Sequence, residues 1–530
     1  MRNEIFSKKI SGIYTIPSGI VMTQLPVLER MAYDIPEIGI LTTKSISLDY
    51  AAGNREPILA NMSPGNWINA VKLPSPGAEK FAEGLSKLNK PENRFVLASI
   101  VGKDEEKFCK VAEIIAPHVD GLEINISCPH GVNKGQTIAQ DRELVTKIFK
   151  GVKRFGKPVV GKLSPKFYDE ESINAVLKGG ADGIAAINTW GPEHFEVDGH
   201  RVLTSPIGGG LSGKQILEKG IEAVREIRKR TSLPIIGSGG ISTAQDVYRY
   251  RDAGADYFGV GSAALPGMNT EEIRTYFKVL NKDVENGTNF AEALIKTELN
   301  TEYEKIKVKE IKQIADDLFS LKFKEPFEAK AGQFVMLWSP REGEKPFSVY
   351  NNEPFEILFQ TRGCFTEYLS NLEPGNELYV RGPYGNSPKV EGKLLLVGGG
   401  TGIAALKLFA KENPDSTVLI GAKDSAHIPD MSDWNTKNII IYTEDGSLGK
   451  QGFFTNDLKQ IIRENKIDTV MNCGPKGMLE AVLRIEIVHS RISLPNIHSS
   501  EELLTMCGVG ICGRCVAKNG LRSCVDGTFI

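Results

Sequence analysis

The 530-residue chain has almost no net charge: 64 basic and 66 acidic residues leave −2 at neutral pH. That excludes the overall basicity of a protein that holds nucleic acid by its phosphates. No apolar run reaches the roughly 18–20 residues of a membrane-spanning helix. Residues 1–10 carry charges and lack the apolar stretch of a secretory signal, so a cytosolic enzyme is expected. Cysteine is scarce, eight in all, and unevenly placed. Cys109, Cys128, Cys364 and Cys473 are scattered, whereas Cys507, Cys512, Cys515 and Cys524 crowd into the last 24 residues. A tight cluster in a cytosolic protein points to a metal site before a disulfide framework. No internal period marks a repeat protein.

What is present is alternation. The length suggests three or four domains. Up to about residue 265, strand-length apolar runs at 95–101, 121–126, 158–163, 183–188, 234–237 and 257–260 recur. Several lead through polar or glycine-rich loops into helix-like segments, as at 140–152, 216–230 and 243–252. Repeated β–loop–α units over this length predict a parallel (β/α)8 barrel, with a doubly wound sheet as the alternative. Residues 269–300 read as charged helix broken at Asn286-Gly287. From Tyr303 to about Pro388, short alternating segments at 304–309, 318–324, 333–338, 356–359 and 377–381 predict a small antiparallel β-barrel. Residues 391–490 return to β–α alternation, with a helix expected over 404–411.

The tail reads Cys507-Gly-Val-Gly-Ile-Cys512-Gly-Arg-Cys515, then eight residues, then Cys524. A C-x4-C-x2-C…C order is the plant-type [2Fe–2S] pattern. The four-residue first gap and the interleaved glycines favour it over a four-cysteine zinc site. A one-electron cluster cannot take a hydride from a nicotinamide. A flavin, which exchanges one electron or two, is therefore expected elsewhere in the chain.

Val397-Gly-Gly-Gly-Thr-Gly-Ile403 follows an apolar strand, the arrangement by which backbone N–H groups meet a pyrophosphate. Cys473-Gly-Pro-Lys-Gly-Met478 follows a later strand at 469–471. Upstream, Lys345-Pro-Phe-Ser348 is placed at a strand start, and Gly363-Cys-Phe-Thr366 opens a short helix-like run. In this order, residues 303–530 resemble the ferredoxin-reductase-like electron-transfer subunit of the NAD-linked dihydroorotate dehydrogenases. The resemblance implies FAD binding by Pro346, Ser348, Gly363 and Thr366. It implies NAD binding by Gly399, Gly400, Thr401, Gly402, Cys473 and Gly474. Lys345 stands where that family has Arg and keeps the charge without the bidentate fork.

In the first half, Thr42-Thr43-Lys44-Ser45, Asn125-Ile-Ser-Cys-Pro129, Lys162-Leu-Ser-Pro165 and Asn188-Thr189 all follow strand-like runs. Gly208-Gly-Gly-Leu-Ser-Gly213 reads as a polar glycine loop. Gly237-Ser-Gly-Gly-Ile241 and Gly259-Val-Gly-Ser-Ala263 are two late glycine loops at strand ends, as a barrel phosphate site uses. This set resembles the FMN-binding catalytic subunit of dihydroorotate dehydrogenase from about residue 16 to 264. By that resemblance Cys128 is the general base, and Lys44 sits beside flavin and substrate. Asn69, Asn125, Asn188 and Thr189 hydrogen-bond the substrate or flavin. Ser45, Lys162 and Gly213 belong to the FMN site, and Gly239, Gly240, Gly261 and Ser262 hold the FMN phosphate. Cys109 reads as a small hydrophobe.

The resemblance implies four domains: an FMN-binding barrel over 1–300, an FAD-binding β-barrel over 301–390, an NAD-binding α/β domain over 391–490 and a [2Fe–2S] domain over 491–530. The expected reaction is oxidation of dihydroorotate to orotate, with electrons moving from FMN through the cluster and FAD to NAD+. Alternatives are an NAD(P)H-driven reductase of another pyrimidine-like or conjugated alkene, and a non-catalytic electron-transfer or redox-sensing protein. Expected partners are the small-molecule substrate and the nucleotide, with no nucleic acid and no membrane. A homo-oligomer through the first barrel is allowed. Lys72 stands where the family has Gly, Ser75 and His130 where it has Asn. Cys-Pro-His looks like the pyrimidine-reducing half of dihydropyrimidine dehydrogenase.

Overall fold

A computed structural model describes residues 3–126, 138–436, 438–487 and 495–529. The chain divides into two compact units. One runs to Leu299 and includes Val509–Leu521; the other comprises Asn300–Gly508 and the residues from Arg522 onward.

The first unit is built on eight parallel strands: β1 (Tyr14–Thr15), β2 (Ile38–Thr42), β3 (Phe95–Ile100), β4 (Gly121–Asn125), β5 (Val159–Leu163), β6 (Gly183–Ala186), β7 (Ile235–Ser238) and β8 (Tyr257–Gly259). They pair in chain order, and β8 closes on β1 to complete the barrel. All six residues of β3 are buried, as are all five of β4 and of β5. That is the continuous apolar reading of a strand covered on both faces. Helices return the chain between strands, and their ends carry legible caps. The Asp104 carboxylate accepts from the Lys107 N–H at the start of α1 (Glu105–Ile115). Thr243 and Asp246 form a capping box on α2 (Ala244–Ala253). Asn269 and Glu272 form another on α3 (Thr270–Asn286), which stops at Gly287 with φ +74°.

Two insertions add a four-stranded antiparallel sheet, in the order Trp190–Glu193, Gly209–Gly213, Asn66–Asn69, Leu59–Ser63. The glycine loop expected at 208–213 is thus a strand. Its glycines answer to close backbone approach rather than to a turn. A methyl group on Gly209 would lie 2.6 Å from the Asn69 carbonyl oxygen, and one on Gly210 would lie 2.2 Å from Thr189 Oγ1.

The second unit holds two sheets. The first is antiparallel, from β9 (Glu304–Gln313), β10 (Leu318–Phe323), β11 (Phe334–Ser339), β12 (Gly343–Ser348), β13 (Glu356–Gln360) and β14 (Glu377–Tyr384), in the order β12-β11-β14-β9-β10-β13. The expected barrel is not closed by a ladder. The sheet curls instead, and Phe347 on one edge strand meets Phe359 on the other at 6.2 Å between ring centres. Lys345-Pro-Phe-Ser348 forms the end of β12, not its start.

The second sheet is parallel: β15 (Leu394–Gly399), β16 (Thr417–Ala422), β17 (Asn438–Thr443), β18 (Thr469–Cys473) and β19 (Asn496–Ser500), with the short Lys450–Gln451 strand at one edge. Its order is Lys450–Gln451, β17, β16, β15, β18, β19, so the direction of winding reverses between β15 and β18. The helix expected at 404–411 is a 3-10 turn over Gly400–Ala405 followed by a short α4 (Lys407–Glu412). Two glycines in the first turn carry a backbone-entropy cost that weakens a regular α-helical start there.

The reading of Gly209–Gly213 as a crowded strand gives a direct expectation. Gly210→Ala forces its methyl onto Thr189 and destabilises the first unit by about 1–3 kcal/mol, the usual cost of overpacking. Gly477→Ala has nothing within 4 Å of the new methyl and serves as the control. Thermal denaturation of both variants measures the difference.

Candidate active site

At the carboxyl-terminal rim of the first barrel, polar side chains from several strands converge on Ser45, just past β2. Its Oγ lies 3.0 Å from Ser99 Oγ at the end of β3 and 3.2 Å from Ser18 Oγ after β1. Asn125, the last residue of β4, donates its Nδ2 to the same oxygen at 3.1 Å. Asn188 Nδ2, after β6, reaches Asn125 Oδ1 at 3.5 Å, and Asn188 Oδ1 accepts the Thr189 N–H at 2.9 Å. Ser45, Asn125, Asn188 and Thr189, separated by up to 144 residues in sequence, are therefore brought together. Ser18 and Ser99 belong to the same chain of hydrogen bonds, and sequence reading missed both. A lone serine beside an apolar run gives no signal of what it will face.

Lys44 approaches Gly19, where an added methyl would stand 3.1 Å from Lys44 Nζ. Asn69 lies on the four-stranded sheet and donates Nδ2 to the Gly210 carbonyl at 3.0 Å. Gly213 ends the neighbouring strand, so close to Gly65 that a methyl there would fall 2.0 Å from the Gly65 oxygen. Lys162, on β5, is 5% exposed and faces Glu123 on β4, which is 3% exposed, at 3.9 Å. Among the described residues no hydrogen-bond donor reaches Glu123 Oε1. Lys72 has φ +66° and an exposed side chain. Ser75 is buried, and its hydroxyl accepts the N–H groups of Ser47 and Gly77, each at 3.2 Å. Cys128 and His130 lie outside the described residues.

The two late glycine turns leave adjacent strands at one end of the barrel, since Ser238 of β7 pairs with Gly259 of β8. Gly239 and Gly240 take φ +121° and +80°, a backbone that L side chains resist. Gly261 and the buried Ser262 follow β8. The first turn is pinned from behind. The Tyr250 hydroxyl on α2 donates to the Gly239 carbonyl at 2.8 Å, and burial pushes its pKa far above the ordinary phenol. Two neighbouring glycine turns with a serine beside them are the right donor set for a phosphate monoester such as that of FMN.

In the second unit the two segments expected to hold FAD meet through their aromatic residues. Phe347, between Pro346 and Ser348, stacks on Phe365, between Gly363 and Thr366, at 6.1 Å. Thr366 Oγ1 caps its own turn, accepting from the N–H groups of Arg362 at 2.8 Å and Gly363 at 3.2 Å. The nucleotide segments also meet. Gly398 pairs with Cys473 across the β15–β18 ladder, where the sheet reverses direction. Gly402 approaches so closely that a methyl would fall 2.2 Å from the Cys473 oxygen. At Gly474 a methyl would meet the flexible end of the Met478 side chain at 2.6 Å. A crevice outside strand ends at such a reversal is where doubly wound sheets take dinucleotides. Gly399, Gly400 and Thr401 line that turn. Burial pushes the Cys473 thiol up to about 11, which leaves it neutral at physiological pH.

All four tail cysteines are buried. In the first unit, the segment bearing Cys512 and Cys515 is held by backbone and side chain: Thr23 Oγ1 donates to Gly513 O at 2.6 Å, and Gln24 Nε2 donates to Arg514 O at 2.8 Å. In the second unit, Cys507 O accepts from Arg381 and Cys524 O accepts from the Gly385 N–H. Among the described residues no three His, Cys, Asp or Glu side chains converge as a single-ion site requires. A [2Fe–2S] cluster shares its four thiolates between two irons. No helix among the described residues is long and apolar enough to cross a membrane.

Comparison with known proteins gives matches to both halves of this chemistry. The family model described as dihydroorotate dehydrogenase matches residues 2–273. The dihydroorotate dehydrogenase B (NAD(+)) catalytic subunit of Methanocaldococcus jannaschii is 37% identical over 252 residues, 47% of this chain and 81% of that protein. The catalytic subunit of the same name from Pyrococcus abyssi is 35% identical over 283 residues, 52% of this chain and 93% of that protein. The probable dihydroorotate dehydrogenase B (NAD(+)) electron transfer subunit of Thermococcus kodakarensis is 37% identical over 220 residues, 40% of this chain and 90% of that protein.

Tyr250 tests the phosphate turn. Tyr250→Phe removes one hydrogen bond and lowers stability by about 0.5–1.5 kcal/mol. It also loosens Gly239, so the variant binds FMN more weakly in equilibrium dialysis while its circular dichroism spectrum stays that of the parent. Unchanged FMN affinity would separate this turn from the flavin site.

Proposed function

The chain belongs to the dihydroorotate dehydrogenase family, and we propose that in one polypeptide it oxidises dihydroorotate to orotate and passes the electrons to NAD+. One observation carries this reading: a single chain matches a catalytic subunit over 47% of its length and an electron-transfer subunit over 40%. FMN serves the catalytic half, and FAD and a [2Fe–2S] cluster serve the electron-transfer half. When bound, these groups supply a hydride acceptor, a one-electron carrier and the exchange between single electrons and a hydride.

The chain's own residues have the remaining work. Forming the ring double bond removes a hydride from one carbon and a proton from its neighbour. Cys128 takes that proton as the general base. Asn69, Asn125, Asn188 and Thr189 orient the ring through its carbonyl, amide and carboxylate groups, and Ser45 fixes Asn125. Lys44 and Lys162 place positive charge where negative charge develops. Gly239, Gly240, Gly261 and Ser262 hold the FMN phosphate, with Gly213 at the edge of the site.

In the other unit Pro346, Ser348, Gly363 and Thr366 hold FAD. Gly399, Gly400, Thr401, Gly402, Cys473 and Gly474 hold NAD. The spacing of Cys507, Cys512, Cys515 and Cys524 assigns them to the cluster. This reading brings with it a cytoplasmic location, no nucleic-acid or membrane partner, and room for a homo-oligomer through the first barrel.

The test uses the full chain loaded with iron, sulfide and both flavins, under anaerobic conditions. Dihydroorotate with NAD+ yields orotate, followed by its absorbance, and uracil with NADH or NADPH gives no comparable rate. Absence of orotate from fully loaded protein would overturn the reading. Cys128→Ala lowers orotate formation by about 10²–10⁴-fold, the usual contribution of a general base, with flavin content unchanged.

A further inference from the structure

A fully buried charge network in the second unit has no part in the chemistry described so far. Arg381, on β14, is 4% exposed, and Glu344, on β12, is 1% exposed. They reach across β11 to form a two-pronged pair: Arg381 Nε donates to Glu344 Oε1 and Nη2 donates to Oε2, both at 2.6 Å. Tyr303 adds a hydroxyl to Glu344 Oε1 at 3.0 Å. The remaining guanidinium nitrogen, Nη1, faces away from the carboxylate. It donates to Tyr384 Oη and to the Cys507 carbonyl, both at 2.9 Å. Tyr384 in turn donates to Asn300 O at 2.6 Å, and its ring lies against Gly508, where a methyl would meet it at 2.8 Å. Four residues beyond Arg381, the Gly385 N–H donates to the Cys524 carbonyl at 3.1 Å. The end of one strand thus holds the backbone of two of the four tail cysteines.

We propose that Arg381, fixed by Glu344, is a positioning residue for the iron–sulfur cluster, presenting Cys507 through its carbonyl and keeping positive charge on the cysteine side of a buried ion pair. This rests on the cluster reading above. The pair is neutral overall, so its effect is that of an oriented dipole with the guanidinium end toward Cys507. Uptake of one electron adds one negative charge to a thiolate-bound cluster, and a nearby positive pole favours that state. Charge and hydrogen bonding near the ligands are among the levers that set cluster potentials. A structural pair alone needs neither the contact with Cys507 nor this orientation. Burying two charges is costly, and well-packed apolar residues of similar volume often serve stability as well.

The experiment is an EPR-monitored redox titration of the full chain loaded with iron, sulfide, FMN and FAD. The double variant Arg381→Met with Glu344→Leu removes the pair while keeping its volume. Its cluster is about tenfold harder to reduce, a fall of about 59 mV in midpoint for a one-electron couple, with both flavin contents unchanged. Loss of the cluster signal at unchanged flavin content and melting temperature supports the same role. A wild-type midpoint and wild-type g-values overturn it. Should the double variant not fold, Glu344→Gln decides, because it leaves the Arg381 charge uncompensated. The midpoint then rises if the proposal holds, and an unchanged midpoint rejects it. A wild-type chain that shows no [2Fe–2S] signal at all rejects the cluster reading itself, a distinct failure.

Discussion

Parallel pairing is the constraint on which the sites depend. Strands that run the same way must all end at the same side of their sheet. The groups that cannot stay in an apolar core are therefore delivered to one rim. In the first unit this rim gathers Ser45, Ser99, Asn125 and Asn188 into one hydrogen-bonded chain. In the second unit it sets the glycine turn after β15 beside Cys473 at the end of β18. Neither grouping requires nearby residues in sequence. Both require only that a polar or glycine-rich segment follow an apolar run, because the ladder does the rest.

This explains which features were legible beforehand. The runs at 95–101, 121–126 and 158–163 are strands within about one residue of those limits. The order of motifs after them marked the barrel and its glycine turns. Other features had no such signature. Tyr14–Thr15 is a complete barrel strand only two residues long, too short for any periodicity. Gly209–Gly213 looked like a loop because glycine density usually means turning, and only its neighbours Asn69 and Thr189 reveal that it means crowding. The curled sheet reads locally as strands either way, since closure is decided by Phe347 and Phe359, 12 residues apart. Tyr250, Glu123, Glu344 and Arg381 acquire their roles from partners across the fold, which spacing along the chain does not encode.

Two of the buried ion pairs make the point in energetic terms. Arg381 and Glu344 satisfy each other at 2.6 Å through two bonds, and Arg381 Nη1 donates to Tyr384 Oη and the Cys507 carbonyl. Lys162 and Glu123 stand 3.9 Å apart, with one carboxylate oxygen lacking a hydrogen bond among the described residues. A satisfied pair fixes geometry. A pair held only at 3.9 Å fixes geometry less tightly than two short hydrogen bonds do.

The departures from the family pattern acquire a physical reading on the same terms. Lys72 occupies a left-handed backbone position, φ +66°, where glycine is the unstrained choice, and its side chain is exposed. What the position needs is the turn, and the lysine meets that need at some conformational cost. Ser75 spends its hydroxyl on the N–H groups of Ser47 and Gly77, tying the ends of its loop together. A shorter side chain than Asn suits that task, because it closes a local turn instead of reaching outward. Asn69, Asn125 and Asn188, by contrast, have their amides engaged by partners distant in sequence: the Gly210 carbonyl, the Ser45 hydroxyl and the Asn125 carbonyl oxygen. Two exchanges that look like lost contacts in the sequence are, in the fold, settled by backbone geometry.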